Sequence, residues 1–215
     1  MTVVNSKSSR SRPAVHVLVD AEKIALISDF ERSEILRLLD EWPMTETQLS
    51  EVFGLTKASI GYHLNLLMEG GLIEIVRTEV EEHSIMQKYY ASKAAVFIPD
   101  YDHIPAQLRK QFIHSKKEWL RGVLSGFRLS RRGNRSLMKI NTDTMEELST
   151  DVLKKLTAIG RAYEKETTSD DRELILSKIY SRTLAELVRD PTWSVHFEEI
   201  LEMSSPSVKK VQRRR

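Results

Sequence analysis

The chain has 215 residues, 40% apolar and 30% charged, the composition of a globular protein with one large domain or two small ones. It has no cysteine, which excludes disulfides, zinc–thiolate fingers and thiol redox chemistry. Its net charge of +2 is uneven: residues 1–15 carry +3 and residues 205–215 carry +5, leaving −6 for the body between them.

Met1 to Pro13 is polar and has no apolar segment of the secretory kind. No run approaches the ~18 apolar residues of a membrane helix. The expectation is a cytoplasmic protein with no membrane partner. Residues 1–14 read as a disordered basic arm, suited to non-specific phosphate contact or simply to solubility. Val15 to Val19 is β-prone. Between Ala21 and Asp40 the apolar positions Ile24, Ile27, Phe30, Ile35, Leu36, Leu38 and Leu39 suit helical packing. Ser28 and Asp29 are its cap candidates, and Pro43 stops it.

Thr45 reads as an N-cap with Gln48 as its capping-box partner. That helix turns Leu49 and Val52 inward and ends near Gly54, where a tight reversal suits glycine. A second helix begins near Thr56 and runs through Ile60, Leu64 and Leu67 to Gly70-Gly71. Leu72 to Val76 and Met86 to Ala91 read as paired strands, with an acidic tip at Glu81-Glu82-His83 between them. Helix, tight turn, helix and hairpin make a winged helix-turn-helix over residues 15–98. Leu49, Val52, Leu55, Ile60, Leu64 and Leu67 form its shared apolar face. Tyr89 and Tyr90 alternate across a strand, so one faces the core.

Beyond Pro99 the spacing is helical, with Leu108, Phe112, Trp119, Val123 and Phe127 on one helix and Leu174, Ile175, Ile179, Leu184 and Leu187 on another. Ser130 to Asn141 reads as a basic loop. Met145, Leu148, Val152, Leu156, Ile159 and Tyr163 recur close to a heptad seam. They are the candidate dimer interface, with an intrachain core as the other reading. A short helix from Val195 to Met203 precedes the basic tail 204–215. The expected fold is mainly α with a small β-hairpin wing: a winged helix-turn-helix followed by a helical dimerisation domain over 99–203, with room for a small-molecule effector between its helices.

Thr56-Lys57-Ala58-Ser59-Ile60-Gly61-Tyr62-His63-Leu64, followed by Glu69-Gly70-Gly71-Leu72-Ile73, resembles the recognition helix and exit turn of ArsR-type repressors. Glu31 to Leu39 is similar to that family's first helix. Arg77-Thr78-Glu79, Lys88-Tyr89-Tyr90 and Ala94-Ala95-Val96-Phe97 resemble an archaeal branch with a long helical extension. The resemblance implies a transcriptional regulator that binds double-stranded DNA as a homodimer. It also implies that Lys57, Ser59, Tyr62 and His63 face DNA. With Thr56, Asn65, Arg77 and Lys88 they make up the candidate DNA-binding set, and His63 is the leading candidate for base contact. Gly61 stands where the family often has serine. Without cysteine, the family's thiolate metal switch is excluded.

No nucleophile–base–acid arrangement or phosphate-binding glycine loop is present. Neither a catalytic site nor a cofactor is expected. Asp100, Asp102 and His103 come nearest to a cation site, but a polar linker explains them equally well, and no metal is expected. The competing class is a winged-helix adaptor that binds protein through the acidic wing and the helices.

Overall fold

A computed structural model describes residues 10–80, 86–129, 141–194 and 197. Two short strands, β1 (Arg12–Pro13) and β2 (Val15–Leu18), lead into α1 (Ala21–Ser28), α2 (Phe30–Glu41), α3 (Glu46–Phe53) and α4 (Lys57–Glu69). The hairpin β3 (Ile73–Val80) and β4 (Met86–Ser92) follows, then β5 (Val96–Pro99) and a 3-10 turn at Tyr101–His103. The rest is α5 (Ala106–Leu129), α6 (Thr142–Tyr163), the two-residue β6 (Thr167–Thr168) and α7 (Arg172–Arg189). The fold is mainly helical with a small β-hairpin after a helix-turn-helix, as expected. The acidic wing tip, the basic loop at Arg131 to Arg135, most of the final helix and the basic tail lie outside the described residues.

Helix boundaries follow local chemistry. The Asp20 side chain accepts from Glu22 N–H at 2.8 Å and opens α1, and Asp29 accepts from Arg32 N–H at 3.0 Å and opens α2. Each supplies an acceptor to amides that have no intrahelical partner.

The architecture turns on β2 and β5. They pair in parallel, Val15 with Val96 through Leu18 with Pro99. Parallel strands need a long crossover, and here the crossover contains the whole helix-turn-helix and its wing. Alternation then gives the strand pair two apolar faces. Val15, Val17, Val96 and Ile98 join a core with Leu148, Val152, Leu156 and Ile159 of α6 and Ile175 and Ile179 of α7. Leu18 and the partly buried Phe97 join a second core with Ile24, Ile35, Leu39, Leu49, Ile60 and Leu64. The division expected at 98–99 therefore falls at the end of a wall that both parts share. Helix α6 lies directly on it: a Cβ on Gly160 would stand 2.7 Å from Ile98 Cδ1 and 3.3 Å from Val17 Cγ2.

Three expectations are corrected. The Met145-to-Tyr163 seam is intrachain. Met145, Leu148, Val152, Leu156 and Ile159 are buried against the strand pair and neighbouring helices of their own chain, with Tyr163 packed at the edge. A heptad-like stripe specifies an apolar face, not the identity of what covers it.

The basic arm does not extend to residue 14. Ala14 is buried, and Arg12 is only 6% exposed. The Arg12 guanidinium grips both carboxylate oxygens of Asp40, with Nη2 donating to Oδ2 at 2.6 Å and also to the Asp170 carbonyl at 3.3 Å. Arg10 likewise pairs with Glu74 and donates to the Ser92 carbonyl. Strand β1 pairs with β6. These arginines tie the chain down and are not offered to phosphate.

Val52, expected inward, is 60% exposed, and Leu55 also reaches the surface. In a helix as short as α3 the buried stripe is narrow, and Leu49 already fills it. Asp100, where no metal was expected, serves the fold. It caps the 3-10 turn through Asp102 N–H at 3.1 Å and pairs with Arg161, while His103 Nδ1 stands 3.5 Å away. Burial opposes its charge, but the hydrogen bonds from Arg161, Asp102 and His103 win and hold its pKa below the ordinary carboxylate value.

Leu156→Asp should cost at least about 3 kcal/mol in urea denaturation, because it buries an unpaired charge in a packed core. A folded variant that merely dissociates into monomers would restore the seam. For the second pair, burial raises the pKa of Asp40, and the hydrogen bonds from Arg12 only partly offset it. Arg12→Met should destabilise by about 3–5 kcal/mol at pH 7, since it leaves a buried carboxylate alone. A carboxyl whose folded pKa is raised contributes stability at acid pH and loses it as pH rises through that value. The deficit should therefore be smaller at pH 4 than at pH 7, and equal deficits would contradict this account.

Candidate nucleic-acid interface

Helix α3 is set by a complete capping box. Gln48 N–H donates to Thr45 Oγ1 at 3.2 Å, and Thr45 N–H donates to Gln48 Oε1 at 2.9 Å. It ends at Gly54, whose φ of +65° is the left-handed conformation that glycine adopts without penalty. The chain then reverses, and Thr56 caps α4 by accepting from Ser59 N–H at 3.2 Å.

Helix α4 buries Ile60, Leu64 and Leu67 and turns Lys57, Ala58, Tyr62, Asn65 and Glu69 to solvent. Thr56 is exposed just ahead of it, and Ser59 is half-buried on the flank. Helices α1, α2, α3, α6 and α7 each carry an acid in the first turn, where it complements the helix dipole. Helix α4 carries none and has Lys57 as its first residue. That cation is placed against its own helix dipole, beside free amides, on an exposed surface: a poor choice for helix stability and a good one for an anion.

His63 is not where the sequence suggested. It borders the apolar stripe and is half-buried, its Nδ1 is shielded with no hydrogen-bond partner, and its ring stacks edge-on with Tyr62 at 5.7 Å. Tyr62 is 60% exposed, and with Asn65 it occupies the outward face. A Cβ on Gly61 would stand 3.4 Å from the Glu46 carboxylate. A side chain at this position would therefore meet α3 before it met a ligand.

The wing holds the other two candidates. A bulge at Val76 shifts the register, so Ile75 pairs with Tyr90 and Arg77 with Tyr89. Tyr90 packs on the core of the helix-turn-helix, and Tyr89 lies outside it, which is the division expected for the two tyrosines. Arg77 is exposed but engaged. It lies 3.9 Å over the Tyr89 ring and 3.2 Å from Glu79, which also accepts from the Tyr89 hydroxyl at 2.9 Å. Sequence reasoning missed this cluster, although Arg77 and Glu79 sit two apart on a strand and so share a face. Lys88 is exposed opposite Thr78, with no ion-pair partner among the described residues. The structure thus brings Thr56, Lys57, Tyr62 and Asn65 onto one exposed surface. It leaves His63 at the flank and Arg77 partly neutralised.

Residues 29–74 match the model of a family described as bacterial regulatory protein, arsR family. This stretch is similar to an ArsR-family helix-turn-helix domain. The match runs from the cap of α2 to the start of β3, so it includes the capping box, the Gly54 turn and α4. A domain of this kind points to DNA binding in transcription regulation. The wing's second strand and everything after it lie beyond the match. No curated protein matches the chain. Among the described residues no helix is long and apolar enough to cross a membrane.

Thr56→Ala removes the cap of α4 and should cost about 1 kcal/mol in thermal or urea unfolding. Thr56→Ser should keep the acceptor and most of the stability. Equal loss in both would mean that the hydroxyl does not cap.

Proposed function

We propose that the chain is a sequence-specific, duplex-DNA-binding transcriptional regulator that acts in the cytoplasm as a homodimer and catalyses no reaction. The observation that carries this reading is the α4 surface. An ArsR-family recognition helix exposes Lys57 at its amino end, with no acid in the first turn and Tyr62 and Asn65 beside it. Lys57 and the free amides of the first turn suit a backbone phosphate. Asn65 suits the paired donor and acceptor on adenine's major-groove edge, and Tyr62 suits sugar and phosphate. Ser59 and His63 are second-rank contacts because each is half-buried. Of the wing residues, Lys88 is the better phosphate ligand, since Arg77 already has Glu79 as partner.

The argument for a dimer is one of footprint. One recognition helix reads only a few base pairs, and a two-fold pair reads two half-sites ~34 Å apart. The contact must lie outside the Met145-to-Tyr163 stripe, which is occupied within the chain.

Fluorescence anisotropy with duplex from the chain's own upstream region and with random duplex tests the reading. Affinity for both should fall steeply with salt. Lys57→Ala should weaken binding to both and reduce the log–log salt slope by about 1. Asn65→Ala should reduce the preference for the specific site by about tenfold, in the range of a single base contact. Light scattering should return twice the chain mass. No duplex binding at low salt would overturn the DNA reading, and a monomer that binds specifically would overturn the dimer alone.

A further inference from the structure

Between the helix-turn-helix and the C-terminal helices lies a cavity of about 230 Å³. Its floor is apolar: Phe97 and Ile98 of β5, Leu36 of α2, Phe112 of α5, and Leu156 and Leu176 from α6 and α7. Three cations also line it, Arg37 of α2, Lys116 of α5 and Arg172 of α7. Two are already compensated. Arg37 holds Glu34 and Glu41 at 2.7 Å, and Arg172 holds Glu173 at 3.1 Å. Lys116 differs. Its Nζ donates to the Tyr180 hydroxyl at 2.8 Å, a neutral partner, and the described residues give it no carboxylate. Tyr180 is itself held by Trp119, with ring centroids 4.6 Å apart. The ammonium is therefore positioned at the wall of an apolar cavity, and no acid among the described residues meets its charge.

The geometry points to a binding site for a small amphipathic carboxylate, its apolar body in the cavity and its anionic end on Lys116 and the Tyr180 hydroxyl. Size sets the class. An apolar cavity of about 150 Å³ holds benzene, so this one takes a body of about nine carbon-sized atoms, a phenylalkyl or branched short-chain acid and not a long acyl chain. An apolar pocket with a few convergent polar groups is the usual form of a small-molecule site. The ammonium forms a charge-assisted bond that a neutral analogue cannot match. Position gives the ligand leverage. It would touch α2, which packs beneath α4 in one core, and also α5, α6 and α7, so occupancy links both halves of the chain. Any effect on DNA binding rests on the regulator reading. Binding itself does not, and the test uses the full chain without DNA.

The probes are 3-phenylpropionate and its neutral amide, 3-phenylpropionamide, in calorimetric titration. The acid should bind at least tenfold tighter than the amide. In Lys116→Met, which keeps the aliphatic stem, that ratio should fall to near one, with amide affinity unchanged. Should that variant not fold, Leu176→Trp carries the test: its larger side chain takes up part of the cavity and should weaken both probes at least tenfold. Absence of binding to the unaltered chain, equal affinity for acid and amide, an undiminished ratio in Lys116→Met, or undiminished affinity for both probes in Leu176→Trp would each overturn the site.

Discussion

The parallel pairing of β2 with β5 is the constraint on which the rest of the molecule depends. A two-stranded parallel ladder has few hydrogen bonds and little reason to persist alone. It persists here because each face is covered by a different core, α6 and α7 on one side and the helix-turn-helix on the other. The outer edge is served as well: Val17 N–H donates to the Glu164 side chain at 3.0 Å, and Ala14 N–H to the Glu166 carbonyl at 2.8 Å. Because β2 precedes the helix-turn-helix and β5 follows its wing, both ends of the helix-turn-helix module are clamped to the helical half. The two closely packed cores meet at this strand pair.

Charged groups reinforce the same joint. Arg12 reaches Asp40 at the end of α2 and the Asp170 carbonyl before α7. Asp100, at the end of β5, pairs with Arg161 of α6. The Thr157 hydroxyl, also on α6, donates to the Pro99 carbonyl and accepts from Tyr101 N–H, both at 3.2 Å. Buried polar groups need partners, and here the partners lie across the junction. The cavity lined by Lys116 sits in the same seam, so the region that joins the halves also has room to receive something.

Local features of the helix-turn-helix module were legible because they are local. Asp29, Thr45 with Gln48, Gly54 and Thr56 act within three or four residues of themselves, and the structure has each doing what its chemistry predicts. Tyr89 and Tyr90 divided as strand alternation requires. Other positions were not legible. Val52 has the right residue type for a core and the wrong angle for this one. His63 falls on the border of the buried stripe of α4, and a rotation of about 100°, one residue along a helix, decides whether a ring faces solvent or packing. Arg12 looked like part of a solvated basic arm because the sequence does not show Asp40 folding back beside it.

The sequence by itself determined the helix-turn-helix, its caps, its turn and the polar face of α4, since these follow from backbone hydrogen bonding and from a period of 3.6 residues. Only the tertiary structure decided what covers each apolar face. The stripe from Met145 to Ile159 meets β2 and β5 of its own chain, and Val15 belongs with a helix more than a hundred residues away. The physical reason is that hydrophobic burial has no direction and no address. An apolar stripe states that it must be covered, and the chain's topology supplies the cover.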